Sequence, residues 1–435
     1  MGGINGFFIS ILQGIHSFVG NYGWSVVLFT LLIRFVLLPL DIKQRKSMRA
    51  MQRIQPMQME LQRKYGRDQE KYNKKLQELY RKENVKPLAG CLPMLISLPL
   101  LFIMFSAMRN LASEQSARML LNLVQSMPAL GDGTSMQAAL SAIQIDLSGL
   151  SITPEQLDAI LQGLTLSAEQ VQAVTDLATV ALSPSQITTL TGLLTSEQAV
   201  LINEQLELFL SGITLTAQQA QTVASGIELE SWLWIKNVFN PDSFMNSILP
   251  AARAVTQDNA SILTSLQLTP IGGSEVLTEE NLQIIASFLK TPAYASIAQA
   301  MGADNFIRIP LNLVFFSPTL TLPTSFEALF SSANGLFILP LFAALSQVFM
   351  TKLLTPKQKD DAQAAANAQQ NPMNGAFMKW FMPLLSLWWC AGYNAAFAIY
   401  WCAVNVIQIA QSFFINLYFE RKDRKAAEAA QIAEK

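Results

Sequence analysis

Arg34 is the only charge in the apolar run Gly23–Leu40, GWSVVLFTLLIRFVLLPL, a run long enough to cross a bilayer. A guanidinium near the middle of a spanning helix costs roughly 2.5–3.5 kcal/mol on insertion scales, so it usually faces a polar cavity or a partner. Snorkelling toward nearby head groups is the plainer alternative, because Leu40 is only six residues further on. The chemistry open to Arg34 is electrostatic: attraction of acidic or polar groups from within a low-dielectric wall. Bond-making chemistry has little material. His16 is the only histidine, which removes histidine-dependent catalysis and multi-histidine metal sites. Cys91, Cys390 and Cys402 fall in apolar segments at spacings that match neither a zinc site nor a redox pair, so they read as packing residues. Phosphate-loop, HExxH and GxSxG patterns are all missing from the sequence. We therefore expect no catalytic residue, no metal, no cofactor, no small-molecule substrate and no DNA partner.

The elements that must carry Arg34 are membrane elements. Of the 435 residues, 51% are apolar and only 14% charged, and the mean hydropathy is positive, as in a polytopic membrane protein with a sizeable aqueous portion. Met1–Tyr22 is apolar at helical spacing and has no basic n-region, so it reads as an interfacial N-terminal helix (1–22) rather than a cleaved signal. Five spans are predicted, at 23–40, 88–109, 336–355, 377–393 and 394–419. Charge orients them. Asp41–Pro87 holds 14 Lys+Arg against 6 Asp+Glu, whereas Leu111–Gly335 holds 5 against 19. Basic loops stay cytoplasmic and long acidic segments translocate with little regard to charge, so the two lie on opposite sides of the membrane. Lys352, Lys357 and Lys359, and Arg421, Lys422, Arg424 and Lys425 in the tail (420–435), fall on the same side as the basic loop. The N-terminus is then outside and the C-terminus cytoplasmic, with the basic tail a positive-inside anchor rather than a ribosome contact. The loop 356–376 includes the Ala-, Gln- and Asn-rich stretch Ala362–Asn374 and reads as flexible.

Residues 41–87 form a cytoplasmic helical hairpin on this reading, with arms Ile42–Lys64 and Asp68–Asn84, a turn at Gly66, and a bend or restart at Pro56. Its candidate contact residues are Met48, Met51, Arg53, Met57, Met59 and Lys64. The thioethers adapt to varied apolar partners, although ordinary packing explains such methionines as well. The basic side chains suit lipid head groups, ribosomal RNA or acidic partners equally. In the acidic segment 110–335, Thr153, Ser167, Ser183, Thr195 and Thr216 each precede a Gln by three residues and open a short apolar helical pattern. These are repeated capping boxes, with Pro154 and Pro184 at the first helical position. Gln137–Gly226 accordingly reads as a small helical domain, and Thr278–Ala303 as two helices broken near Thr291 and Pro292. Phe306–Pro323, interrupted by Pro310, Pro318 and Pro323, reads as extended or interfacial rather than spanning. The fold class is all-α: a five-helix membrane core with a cytoplasmic hairpin and an extracytoplasmic α-helical insertion.

Several short motifs together are specific. They are Asn21-Tyr22-Gly23 opening the first span, Ile33-Arg34-Phe35 with Leu38-Pro39-Leu40 closing it, and Lys86-Pro87-Leu88-Ala89-Gly90-Cys91-Leu92-Pro93 after the hairpin. Ser231-Trp232-Leu233-Trp234-Ile235 with Asn240-Pro241-Asp242, Thr351-Lys352 with Thr355-Pro356, and Tyr400-Trp401-Cys402-Ala403-Val404-Asn405 complete the set. This pattern resembles the YidC/Oxa membrane protein insertase family across the predicted membrane part and hairpin, and leaves the helical insertion outside. The resemblance implies a five-helix core around a hydrophilic groove, open to the cytoplasm and lipid, with Arg34 as its central cation. It implies a protein of the bacterial plasma membrane whose partners are nascent membrane proteins and the lipid bilayer, acting alone or beside the Sec translocon. Ribosome contact fits the basic hairpin. Candidate groove residues beside Arg34 are Thr30 one turn earlier, Gln347 on the third span, and Trp401 and Asn405, four apart on one face of the fifth. Met350 stands where family members commonly carry a glutamine, with Gln347 one turn away. Two other classes compete: a channel or transporter with Arg34 in its pore, which the lack of an internal repeat disfavours, and an envelope interaction protein acting through the insertion.

Overall fold

The structure, a computed structural model, describes residues 3–66, 68–83, 92–130, 132–253, 257–310, 319–354 and 376–433. It divides into two compact units, Arg109–Leu336, and Gly3–Met108 with Phe337–Lys435. The motif at 86–91 with Cys91, and the loop positions 355–375 with Lys357 and Lys359, lie outside the described residues.

Helix α1 (Ile4–Val19) ends at Gly20, whose φ of 69° is the left-handed cap that glycine adopts without strain. It lies on α2 (Tyr22–Tyr65), with Ile9 and Leu12 buried and the rings of Phe8 and Phe29 meeting edge to face at 6.0 Å. His16 stacks on Tyr22 at 3.8 Å, a packing role. Asn21 caps α2 by accepting from the backbone N–H of Trp24 at 3.2 Å. The expected bend at Pro56 does not break this helix: α2 runs through Pro39 and Pro56 for 44 residues and joins the first span to the first hairpin arm. Each proline forfeits one i→i−4 hydrogen bond, and both rings are exposed, so the helix tolerates them.

The second arm is α3 (Gln69–Lys82), capped by Asp68. The N–H of Lys71 donates to that carboxylate at 3.1 Å, which holds it below the usual carboxylate range. Ile54 is fully buried, and Arg53 reaches Glu83 at 3.1 Å from one arm to the other. Helix α4 (Leu92–Gln125) follows.

In the unit Arg109–Leu336 the capping boxes are all present. Helices α5 (Met136–Ser141), α6 (Pro154–Gly163), α7 (Ala168–Thr175), α8 (Pro184–Leu193), α9 (Ser196–Gly212) and α10 (Ala217–Ser225) are short. The last five begin at the five predicted Ser/Thr caps, each with both reciprocal bonds made. The box glutamines also join neighbouring repeats: the amides of Gln170, Gln186 and Gln198 donate to the carbonyls of Ala181, Thr165 and Ser151 at 2.6, 2.8 and 2.5 Å. Gln198→Ala removes a cap and a cross-repeat bond together. It should cost about 2 kcal/mol, read as lost hydrogen-exchange protection in the first turn of α9 in the full chain.

The segment is not purely helical, which corrects the all-α expectation for 137–226. Strands β1 (Ile143–Asp146) and β2 (Thr179–Leu182) pair antiparallel, placing Ile143, Ile145, Val180 and Leu182 in a core with Ile160, Ile187, Leu190 and Ile202. A second core gathers Leu120, Val124, Leu282, Ile285, Phe288 and Tyr294. It is built on α4, α11 (Asn259–Ser265), α12 (Glu279–Phe288) and α13 (Pro292–Ala300), with the break at Thr291 and Pro292 as expected. Strands β3 (Phe306–Pro310) and β4 (Thr319–Pro323) form an antiparallel pair, so the extended reading holds there, and α14 (Phe326–Ser331) follows.

Beyond it lie α15 (Ile338–Leu354), α16 (Ala376–Gly392) and α17 (Ala395–Ala433). The fifth apolar segment and the basic tail are thus one helix. Among the described residues, Tyr22–Lys43 and Ala395–Lys422 are long and apolar enough to cross a bilayer, and Ile338–Met350 is a shorter apolar helix.

Candidate functional site

Helix α17 packs against both α2 and α15, and its polar residues face them. Trp401, Asn405 and Gln408 recur at i, i+4 and i+7, one stripe along the apolar first part of the helix. Asn405 is buried and donates to the Ser346 hydroxyl on α15 at 2.9 Å. Gln408 meets Arg34 on α2. With its amide oxygen turned to the guanidinium, it accepts from Nη1 and Nη2, both at 2.9 Å; the opposite orientation would set an NH₂ against a cation.

Arg34 is half-buried, and among the described residues its hydrogen bonds go to this neutral amide and not to a carboxylate. Tyr400 and Asp41 are the titratable groups whose charges act on it. The planar donors of the fork are thereby held in place by a group that carries no charge of its own. On either side of Arg34 in the chain, Leu32, Phe35 and Val36 are exposed, at 46%, 64% and 71%, so the cation sits on a helix whose other faces are bare hydrocarbon.

The other predicted groove residues fall in different settings. Thr30 is buried and its hydroxyl donates back to the Val26 carbonyl at 2.7 Å, within its own helix. Gln347 is half-buried, next in sequence to Ser346. Trp401 lies in an aromatic cluster, 5.8 Å from Trp389 and 5.7 Å from Phe397, with its indole N–H buried and unbonded among the described residues. Cys390 and Cys402 are buried, the Cys402 thiol donating to the Leu339 carbonyl at 3.5 Å, and Met350 is buried too.

Sequence reasoning missed Gln408 and Ser346. A signal existed: Gln408 extends the Trp401–Asn405 stripe by one turn, and Ser346 adjoins Gln347.

In the hairpin, Met51 and Met59 are half-buried and Met57 is 44% exposed. Arg53 is engaged with Glu83, and Lys64 lies 5.8 Å over the ring of Tyr65. The Met48 side chain lies outside what is described; its backbone belongs to α2. Arg49, which sequence reasoning also passed over, stands 4.8 Å over the Phe419 ring and ties the first arm to α17.

The fold and this site define a mostly helical membrane protein with a charge-bearing polar seam between apolar helices. The chain belongs to the YidC/Oxa family: the pattern of the family described as 60Kd inner membrane protein matches residues 14–184 and 211–423. That match enters the acidic segment and leaves 185–210 unmatched, so the insertion is not wholly outside the family pattern as the motifs suggested. The chain is similar to the membrane protein insertase YidC of Fusobacterium nucleatum, 43% identical over 104 residues, which are 24% of this chain and 51% of that protein. It is also similar to the membrane protein insertases YidC of Caldanaerobacter subterraneus, 41% identical over 110 residues (25% and 53%), and Clostridium perfringens, 40% over 126 residues (27% and 53%). The chain spans about half the length of these curated relatives.

Proposed function

We propose that the chain is a membrane protein insertase and chaperone that moves hydrophobic segments of nascent proteins into the bilayer, alone or beside the Sec translocon. It is a five-span protein of the bacterial plasma membrane on this reading, with the N-terminus outside, the hairpin 41–87 and tail 420–435 cytoplasmic, and 110–335 extracytoplasmic. One observation carries the proposal: Arg34 is held by the neutral amide of Gln408, which leaves its charge available to a guest. A carboxylate bonded in that place would have neutralised it further than the field of Asp41 does.

Arg34, with Thr30, Gln347, Trp401 and Asn405 around it, forms the polar seam along which acidic or polar stretches of a substrate pause part-way across. The substrate's apolar helix meanwhile lies along exposed side chains such as Leu341, Leu345 and Phe349 on α15 and Val406 and Phe413 on α17. It then partitions into lipid, releasing free energy with the apolar area that leaves water. No bond is made or broken, so the protein is not an enzyme. Met48, Met51, Arg53, Met57, Met59 and Lys64 of the hairpin receive the chain or the ribosome.

A photo-crosslinker at position 347, which spares both Arg34 and Gln408, should give an adduct with a ribosome-bound nascent single-span protein. Crosslinks to lipid alone would overturn the groove.

A further inference from the structure

Strands β3 and β4 form a two-stranded hairpin whose register sorts its side chains by face. Ile307 pairs with Leu322 and Ile309 with Leu320, so one face carries four aliphatic residues. The other carries Phe306 opposite Pro323, Arg308 opposite Thr321, and Pro310. Within this unit the apolar face is only partly covered: Leu320 and Leu322 are half-buried, whereas Ile307 is 52% and Ile309 41% exposed. Alongside β4, α14 exposes Phe326 and Phe330, at 77% and 53%, with rings 5.0 Å apart. An isolated hairpin with a bare aliphatic face is marginal in water, so this one needs a cover.

We propose that the β3–β4 hairpin and the α14 phenylalanines insert shallowly into a phospholipid surface. Three observations choose lipid over a second copy or another protein. The unit is strongly acidic, 19 Asp+Glu against 5 Lys+Arg over 111–335, and two such units repel each other. Yet the hairpin's one charge is a cation, Arg308, which suits a phosphate-bearing surface. The eight residues joining the strands, LNLVFFSP, are uncharged, and six residues separate the end of α14 from the apolar helix α15. Aromatic and aliphatic side chains beside a basic residue are the composition of segments that settle at the head-group boundary. The inference needs the chain to be membrane-embedded but not the groove mechanism, so the two can fail separately.

The test uses the full chain with Cys91, Cys390 and Cys402 replaced, labelled with an environment-sensitive fluorophore at Ile309→Cys, Phe326→Cys or Thr321→Cys. It is reconstituted in vesicles of phosphatidylethanolamine and phosphatidylglycerol. Nitroxide-bearing lipid should quench the labels at 309 and 326 about threefold more than the label at 321, and aqueous iodide should show the reverse order. Phe326 lies outside the hairpin and reports even where a label disturbs the strands. Equal iodide quenching at 309, 326 and 321 would show that the face is in water. Protection of 309 and 326 from both quenchers would show a protein cover. Either result overturns the proposal.

Discussion

Arg34→Ala should lower the insertion of single-span substrates with acidic translocated tails by at least about tenfold in reconstituted vesicles. A hydrogen bond to a charged group contributes about 1.5–3 kcal/mol, and each 1.4 kcal/mol is about tenfold in an equilibrium. Arg34→Lys should fall between, because an ammonium keeps the charge but cannot offer the planar fork that two donors at 2.9 Å present to Gln408. The sharper variant is Gln408→Glu. It leaves Arg34 in place and adds a carboxylate within reach of the same two nitrogens, so the cation is satisfied internally. Insertion should drop nearly as far as in Arg34→Ala, although both polar side chains are still present. If Gln408→Glu inserts substrates as well as the wild type does, availability of the charge is not what matters. If Arg34→Ala also does so, the electrostatic mechanism falls while family membership stands.

What could be read from sequence depended on range. The capping boxes lie within four residues and use one chemistry, so five helix starts, from Thr153 to Thr216, were legible. Arg34 was legible because a charge in an apolar run has few tolerable settings. The β1–β2 pair was not. Its strands are four residues each, lie among helical patterns, and are separated by two helices, so neither alone shows a period of two that stands out from buried helix. The continuity of α2 was hidden for a different reason: a proline's effect depends on whether its ring and the freed carbonyl face solvent, and Pro39 and Pro56 are both exposed. Gln408 was overlooked because its role exists only once α17 is laid against α2; from sequence it is one more polar residue near the end of a span.

The same dependence on long-range pairing makes Asn334 the position where a single substitution should cost most stability. Its side chain is fully buried and makes three bonds: Oδ1 accepts from the Asn237 N–H at 2.9 Å, and Nδ2 donates to the carbonyls of Asn237 at 3.0 Å and Pro241 at 2.8 Å. Its backbone is engaged as well, donating to the Asn246 carbonyl and accepting from the Lys236 N–H. Next to it, the buried Asp242 carboxylate accepts from the Leu336 N–H at 2.8 Å and from the Trp234 indole at 3.2 Å. A Cβ on Gly335 would stand 2.1 Å from that carboxylate, so only glycine lets the strand of chain pass. The residues 231–242 and the stretch leading into α15 are therefore one knot, which ties the Ser-Trp-Leu-Trp and Asn-Pro-Asp motifs together. Asn334→Ala strands two buried backbone groups and one half-buried carbonyl at once, and at about 1–3 kcal/mol each, allowing for partial relaxation, it should destabilise this unit by about 3–5 kcal/mol. Asn334→Asp should be no milder, since it keeps the acceptor for Asn237 but turns a carboxylate oxygen against two carbonyls. Hydrogen exchange across 232–246 in the full chain measures both. Protection equal to the wild type in Asn334→Ala would mean that the contacts around Asp242 hold this entry without it, and that the knot is redundant rather than cooperative.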